Sequence, residues 1–460
     1  MALPVQRLNE KLEGEMEFKR KKYSVPFALP GDLVQFRILR KGRKSKFQVV
    51  HIEKAENPPE GIQLSAQSGC QHAGICGGCR ARHLEYDFQW KWKSAPVEHK
   101  MQQHFGLTPE LLPAPEKEHF RNRMDFAVNG TDVGLRPPQD FETILSLNEC
   151  PVLRAPGEEI LAKCQELLQR FPSTGWDRTT ESGWLKYVTL RIGSVSGVIV
   201  LTTSGEPVAT EFLTELKSWV ENRNQSTGFP LHLVETVTEP GQDLSCTPGG
   251  HALLGKAGYD ESLAGLEFSV PYDSFFQPNP VAFTGLFERI LEKSKEILDP
   301  LLESANDSSG IKIVDLYCGA GVLSSVLAHR WPGIKEIAGY EFIESAVIEA
   351  EKRFQDSGIK TNFQAVDLNK PESSVDLNSH LIIADPPRAG ISNRLCKLIA
   401  DARPAPYMLY ISCNPDTQLS DLELLKKSYK PVYAVLADCF PYTGHMEQAV
   451  LLERIDEGQE

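Results

Sequence analysis

Residues 311–321 read IKIVDLYCGAG. A short run of β-branched and apolar residues ends in an acid, and Gly319 and Gly321 follow at once. Such a run reads as a buried strand that passes through a tight turn into a helix, with glycines where the backbone must approach a ligand closely. The next apolar run, EIAGYE, ends in Glu341, 20 residues after Gly321. A carboxylate at that place can accept hydrogen bonds from ribose hydroxyls. The dinucleotide fingerprint G-x-G-x-x-G is incomplete here, because its last position is Ser324. The pattern therefore favours S-adenosylmethionine (SAM) over NAD, against the plainer alternative of a tight turn beside a solvent-facing Glu.

From 311 onward seven apolar runs alternate with helical stretches: IKIVDLY, EIAGYE, NFQAV, HLIIAD, YMLYIS, VYAVLAD and QAVLLER. Near-continuous hydrophobicity suits strands buried on both faces of a mainly parallel sheet, whose ligands lie past the strand ends. Three motifs stand at such ends. Ala384-Asp385-Pro386-Pro387-Arg388 makes a rigid loop after an acid. Ile411-Ser412-Cys413-Asn414-Pro415 puts a thiol there, the softest nucleophile among side chains. His445-Met446-Glu447 puts a carboxylate before the last run, within reach of general-base work. Each alone could be an ordinary turn, a core cysteine or a solvated acid. Cys164, Cys246, Cys318, Cys396 and Cys439 read as core residues.

Upstream, Asn279-Pro280 looks like an N-cap followed by proline at the first helical position. Phe283, Leu286, Phe287, Ile290, Leu291, Ile297 and Leu298 then form an amphipathic stripe, and the polar stretch SANDSSG ends the approach to residue 311. Residues 118–270 mix strand patterns (FRNRMDFAV, WLKYVTLRIG, GVIVLTT, LHLVETV) with a helix near 157–171. EYDFQWKWKSAPVEHKMQQHF reads as a helix interrupted near Pro96. Cys70, Cys76 and Cys79 cluster in one Gly-rich loop, and Cys150 lies far along the chain. Four thiolates could hold zinc or a [4Fe–4S] cluster. Three ligands from one loop and a distant fourth favour iron–sulfur over paired C-x2-C zinc.

At the start, LVQFRILRK and FQVVHIEK alternate apolar and polar around a basic turn, KGRKSK, which suggests a small five-strand barrel of the OB type. Residues 1–55 hold 13 Lys/Arg and 6 Asp/Glu, whereas the whole chain of 460 residues has net charge −13. A cationic arm on an acidic body suits an anionic partner met at one face. No stretch approaches about 18 apolar residues, and the start lacks an apolar signal core, so a membrane span and Sec export are not expected.

The four cysteines, Phe276-Gln277-Pro278-Asn279, DLYCGAG, ADPPRAG, SCNP and GHMEQ follow one another in a specific order. In that order they resemble the SAM-dependent RNA 5-methyluridine methyltransferases of the RumA/TrmA type, most of all the ribosomal-RNA branch with a TRAM domain and a [4Fe–4S] cluster. The resemblance implies Cys413 as nucleophile and Glu447 as the base that removes the C5 proton. It implies Gln277, Tyr317, Glu341, Asp367 and Asp385 as SAM-binding residues, and Cys70, Cys76, Cys79 and Cys150 as cluster ligands. It further implies an OB-like TRAM barrel over 1–58, an α+β middle domain with the cluster over 59–275, and an α/β Rossmann-like class I SAM methyltransferase domain over 276–460. Part of 85–110 is expected to pack on the last of these. The expected activity is methyl transfer to C5 of a uridine in structured RNA, with 23S ribosomal RNA first and transfer RNA as the alternative. An adenine-N6 methyltransferase would not need Cys413, and a non-catalytic RNA-binding assembly factor would need neither Cys413 nor Glu447. The expected protein is cytoplasmic and monomeric.

Overall fold

The computed structural model describes residues 2–455 except 42–43, 58, 67, 141, 206–207, 240, 305–309, 371–374 and 403. The centre of the expected basic turn (42–43) and the polar linker (305–309) lie outside the described residues. The C-terminal half is built on an eight-stranded sheet. Its spatial order is Lys360–Ala365, Ile334–Glu341, Ile311–Leu316, Leu381–Ala384, Tyr407–Ser412, Glu447–Arg454, Tyr429–Ala437 and Glu110–Leu112. Seven of these are the runs read from the sequence. The eighth, Glu110–Leu112, pairs in parallel with Val435–Ala437 and is too short to show a period.

Interior strands are apolar on both sides because helices cover both faces. Ile313, Ile383 and Leu451 pack with Phe283, Phe287 and Ile290 of helix Pro280–Ser304 on one face. Val314, Ile382 and Val450 pack with Trp90, Val97 and Met101 on the other. Each such side chain contributes about 1.5–3 kcal/mol on burial. Asn279 caps the Pro280 helix, its Oδ1 accepting the Ala282 N–H at 3.2 Å, while its Nδ2 donates to the Cys439 carbonyl at 3.1 Å.

Trp90, Val97 and Met101 belong to helix Tyr86–Phe105, which runs unbroken through Pro96, contrary to the interruption expected there. The buried face outweighs the roughly 3 kcal/mol that an interior proline costs. The same helix buries Lys93 completely. Its Nζ donates to Asp438 Oδ1 at 2.8 Å and to the carbonyls of Thr443 and His445 at 3.0 and 3.1 Å. Burial pulls the Lys93 ammonium below its usual range, and Asp438 opposes that pull.

The middle region holds a seven-stranded mixed sheet centred on Arg123–Asn129, Leu185–Ile192 and Gly197–Thr203, with helices Gly157–Arg170 and Thr210–Thr227. A hairpin, Gly258–Leu263 with Leu266–Pro271, joins the core of the C-terminal half through Tyr259 and Phe268. The N-terminal residues form six strands in two three-stranded sheets around Val5, Met16, Val25, Val34 and Phe36, not the five-strand arrangement expected. Ala2–Pro4 and Arg7–Leu8 are too short to have a readable alternation. Among the described residues no helix is long and apolar enough to cross a membrane.

Lys93→Met is expected to lower unfolding free energy by about 3–5 kcal/mol, because it strands a buried carboxylate. Adding Asp438→Asn should recover part of that loss in urea titrations. A double variant no more stable than Lys93→Met would show that charge pairing is not what Lys93 supplies.

Candidate functional site

Seven strands of the large sheet are parallel to one another, and Glu447–Arg454 alone runs antiparallel to both its neighbours. Its first residue therefore lies at the edge where the strand Tyr407–Ser412 ends. Ser412 stands opposite Gln448, which sets Cys413 and Glu447 side by side. Tyr317, Glu341 and Asp385 immediately follow or close parallel strands at that same edge, and Asp367 lies two residues past another. Gln277 reaches the group from the segment before helix Pro280–Ser304, its Nε2 donating to Asp385 Oδ2 at 3.3 Å.

The motif loops hold one another. Asn414 Nδ2 donates to the Arg388 carbonyl at 3.1 Å, and the Arg388 side chain hydrogen-bonds the Cys413 thiol. Burial, then the Glu447 carboxylate, push the thiol up to about 11, while Arg388 pulls it down. Glu447 is pushed well above the carboxylate range, first by burial and then by Asp385, with Arg388 opposing. Burial and the neighbouring Asp315 push Asp385 up to about 7. His445 is held near 4, mainly by burial and then by Arg388, so it is a neutral imidazole at pH 7. The site is a buried cluster of acids around one guanidinium. In the sequence Arg388 reads only as part of a turn motif, although its charge beside Asp385 is visible there.

A nucleotide-like cofactor fits the other side of this edge. Glu341 Oε2 accepts the Gly319 N–H at 3.1 Å and its Oε1 accepts the Ile343 N–H at 3.0 Å. The space where a Gly319 side chain would begin is open, and Phe342 and Ile343 are exposed beside it as an apolar ledge. Asp315 Oδ1 is buried without a hydrogen-bond partner, although its Oδ2 accepts from Ser324 Oγ at 2.5 Å. Asp367 Oδ1 accepts the Asn369 N–H at 3.0 Å, which orients the carboxylate at its strand end.

Cys70, Cys76, Cys79 and Cys150 line one small cavity in the middle region. Gly77 is required there, since a side chain would meet the Arg136 carbonyl at 2.6 Å. Among the described residues no three His, Cys, Asp or Glu side chains close to single-ion spacing. Burial, then one another's charge, push Cys150 up to about 12. Arg82 and Arg121 are also on the cavity wall, and Arg82 Nη1 is buried with no partner. Four cysteine thiols beside two arginine side chains form a donor set with nearby positive charge, which fits an anionic group.

Known proteins resemble the chain over its whole length. A family model described as tRNA (uracil-5-)-methyltransferase matches residues 265–455. A Leptospira interrogans protein named uncharacterized RNA methyltransferase is 31% identical, over 98% of this chain and 96% of its own. A Pyrococcus furiosus tRNA (uracil(54)-C(5))-methyltransferase is 28% identical, over 94% of this chain and 95% of its own. The crystal structure of the Pyrococcus abyssi tRNA (uracil-54, C5)-methyltransferase, in complex with S-adenosyl-L-homocysteine, is 24% identical and superposes with a TM-score of 0.68 over 98% of this chain and 100% of that one. That likeness extends the class I methyltransferase fold to this chain, and the family match and the end-to-end relatives together define its place: the chain belongs to the RNA (uracil-5-)-methyltransferase family.

Proposed function

We propose that the protein methylates C5 of a uridine in RNA, with Cys413 as nucleophile and Glu447 as base. The pairing of Ser412 with Gln448 carries this reading, because it puts thiol and carboxylate at one edge with Asp385 and Gln277. Gln277, Tyr317, Glu341, Asp367 and Asp385 would hold SAM. When bound, SAM supplies an electrophilic methyl on a cationic sulfonium, a charge that offsets the crowded carboxylates.

Uracil C5 is a weak nucleophile until C6 is attacked. The Cys413 thiolate forms a bond to C6, and the ring's electrons move toward O4, leaving an enolate with carbanion character at C5. Arg388 favours the thiolate by charge and hydrogen bond. After methylation C5 bears both a methyl and a proton. Glu447 takes that proton, the C5–C6 double bond re-forms, and the sulfur leaves C6 as thiolate. A carboxylate raised toward neutrality is a stronger base than an ordinary one. The uridine must leave its stack to reach a half-buried thiol at the sheet edge, so a flipped base is expected.

Transfer RNA is the better-supported target than 23S ribosomal RNA, because relatives aligned nearly end to end are named for uracil 54 of tRNA. The N-terminal sheets, with their cationic bias, are read as an RNA-binding TRAM unit, and the four cysteines as [4Fe–4S] ligands. Methyl transfer to separated tRNA and rRNA, followed by nucleoside analysis, tests the target.

Cys413→Ala should abolish transfer and give no covalent RNA complex while SAM still binds. Glu447→Gln should permit attack and methylation but stall release, leaving a methyl-labelled adduct on denaturing gels. Activity retained by Cys413→Ala would remove the uracil-C5 mechanism. The thiol's high pKa gives a second test. Alkylation of Cys413, followed by peptide mass spectrometry, should accelerate as pH rises toward 10. Arg388→Ala should slow it about tenfold at pH 8, since losing a cation lowers the thiolate fraction tenfold per unit of pKa. An unchanged rate would mean that Arg388 does not activate the thiol. Anaerobically purified protein should contain iron and acid-labile sulfide, and zinc without iron would overturn the cluster assignment.

A further inference from the structure

Residues 438–446 join the last two strands, contain His445 and lead directly into Glu447. The segment after Cys79 grips this loop. The Ala81 N–H donates to the Tyr442 carbonyl at 2.9 Å. The Arg82 guanidinium lies over the Tyr442 ring, 4.4 Å from its centroid. Arg82 Nη2 and Tyr442 Oη both donate to Glu118 Oε1, at 2.6 and 3.2 Å. Arg82 Nε donates to the Ser68 carbonyl at 2.5 Å, so one buried guanidinium touches the cysteine loop, Glu118 and the catalytic loop together. Tyr442 has φ 64°. A bulky residue occupies that left-handed region only where its surroundings impose it.

Arg82 is paired with Glu118, yet its Nη1 is buried without a partner. Among the described residues Glu118 is the one carboxylate paired with it, and the Glu118 side chain is 39% exposed, which weakens its hold by solvent screening. The cavity that Arg82 lines with the four cysteines is where an anionic group would complete the balance. A buried cation without such a partner is driven toward water. Movement of Arg82 would release the Tyr442 ring and free the strained turn beside Glu447.

We propose that Arg82 and Tyr442 are positioning residues that couple the four-cysteine centre to the catalytic loop, so that a filled centre holds 438–446 in register for proton removal. This rests on the cluster and base assignments above. The cluster takes no part in methyl transfer. Its negative charge fixes Arg82, Arg82 fixes Tyr442, and Tyr442 fixes the turn that precedes Glu447.

Hydrogen exchange by mass spectrometry on the full chain tests the coupling. Wild-type protein is compared as purified anaerobically and after iron removal by a chelator. Amides of 438–446 should exchange faster after removal, while helix 86–105 stays protected. Tyr442→Asn removes the ring yet keeps the left-handed turn accessible, since Asn tolerates it. This variant should keep its iron and its KM, lose about 100-fold in turnover, as a misplaced group can cost, and accumulate the methylated covalent adduct. Its loop should exchange fast with or without iron. Equal loop exchange in wild type with and without iron would overturn the proposal. So would a rise spread evenly over the chain, normal turnover in Tyr442→Asn, or a general loss of activity without adduct. If wild-type protein fails to methylate uridine, the functional reading falls, and the exchange comparison still decides the coupling.

Discussion

The reversal of one strand sets the geometry of the candidate site. In a sheet of parallel strands every C-terminal end supplies a loop to one edge and every N-terminal end lies at the other. Glu447–Arg454 runs against its two neighbours, so its first side chain joins the edge from which Tyr317, Glu341, Asp385 and Cys413 project. The strand cannot slide. Ala449, Val450, Leu451 and Leu452 are all fully buried, between the Phe283 helix on one face and the Trp90 helix on the other. A slip of one residue would turn each to the wrong face and carry Glu447 away from Cys413.

The site concentrates acids where solvent cannot screen them. Asp315 and Asp385 are each pushed up to about 7, and Glu447 is raised well above its usual range. Such a cluster is costly on its own and matches a cationic methyl donor. Arg388 moderates it from the centre, lowering both the thiol and Glu447. The same principle operates in reverse in the middle region, where Arg82 and Arg121 share a cavity wall with four thiols.

Much of this was legible because the relevant signals are local. Seven strands appeared as apolar runs, the N-cap as Asn279-Pro280, and the candidate site groups as motifs at run ends. What escaped depended on tertiary packing. Pro96 looks like a helix stop until the buried face of Trp90, Val97 and Met101 is known. Lys93, in the stretch WKWK, looks like a solvated charge, and only the fold reveals the carbonyls it binds. Glu110–Leu112 gains its strand identity entirely from Val435–Ala437. Arg82 and Tyr442 lie 360 residues apart in the chain, and no local pattern could join them.

The central claim is that Cys413 adds to C6 of a uridine whose C5 is then methylated. An RNA substrate carrying 5-fluorouridine at the target tests it most directly, because fluorine replaces the proton that Glu447 must remove. The account predicts a stable complex with wild-type protein and SAM. Peptide mass spectrometry should find one modified residue, Cys413, bearing a nucleotide that carries both fluorine and the transferred methyl. A complex through another residue, a nucleotide without the methyl, or free methylated adenine in place of any complex would contradict it.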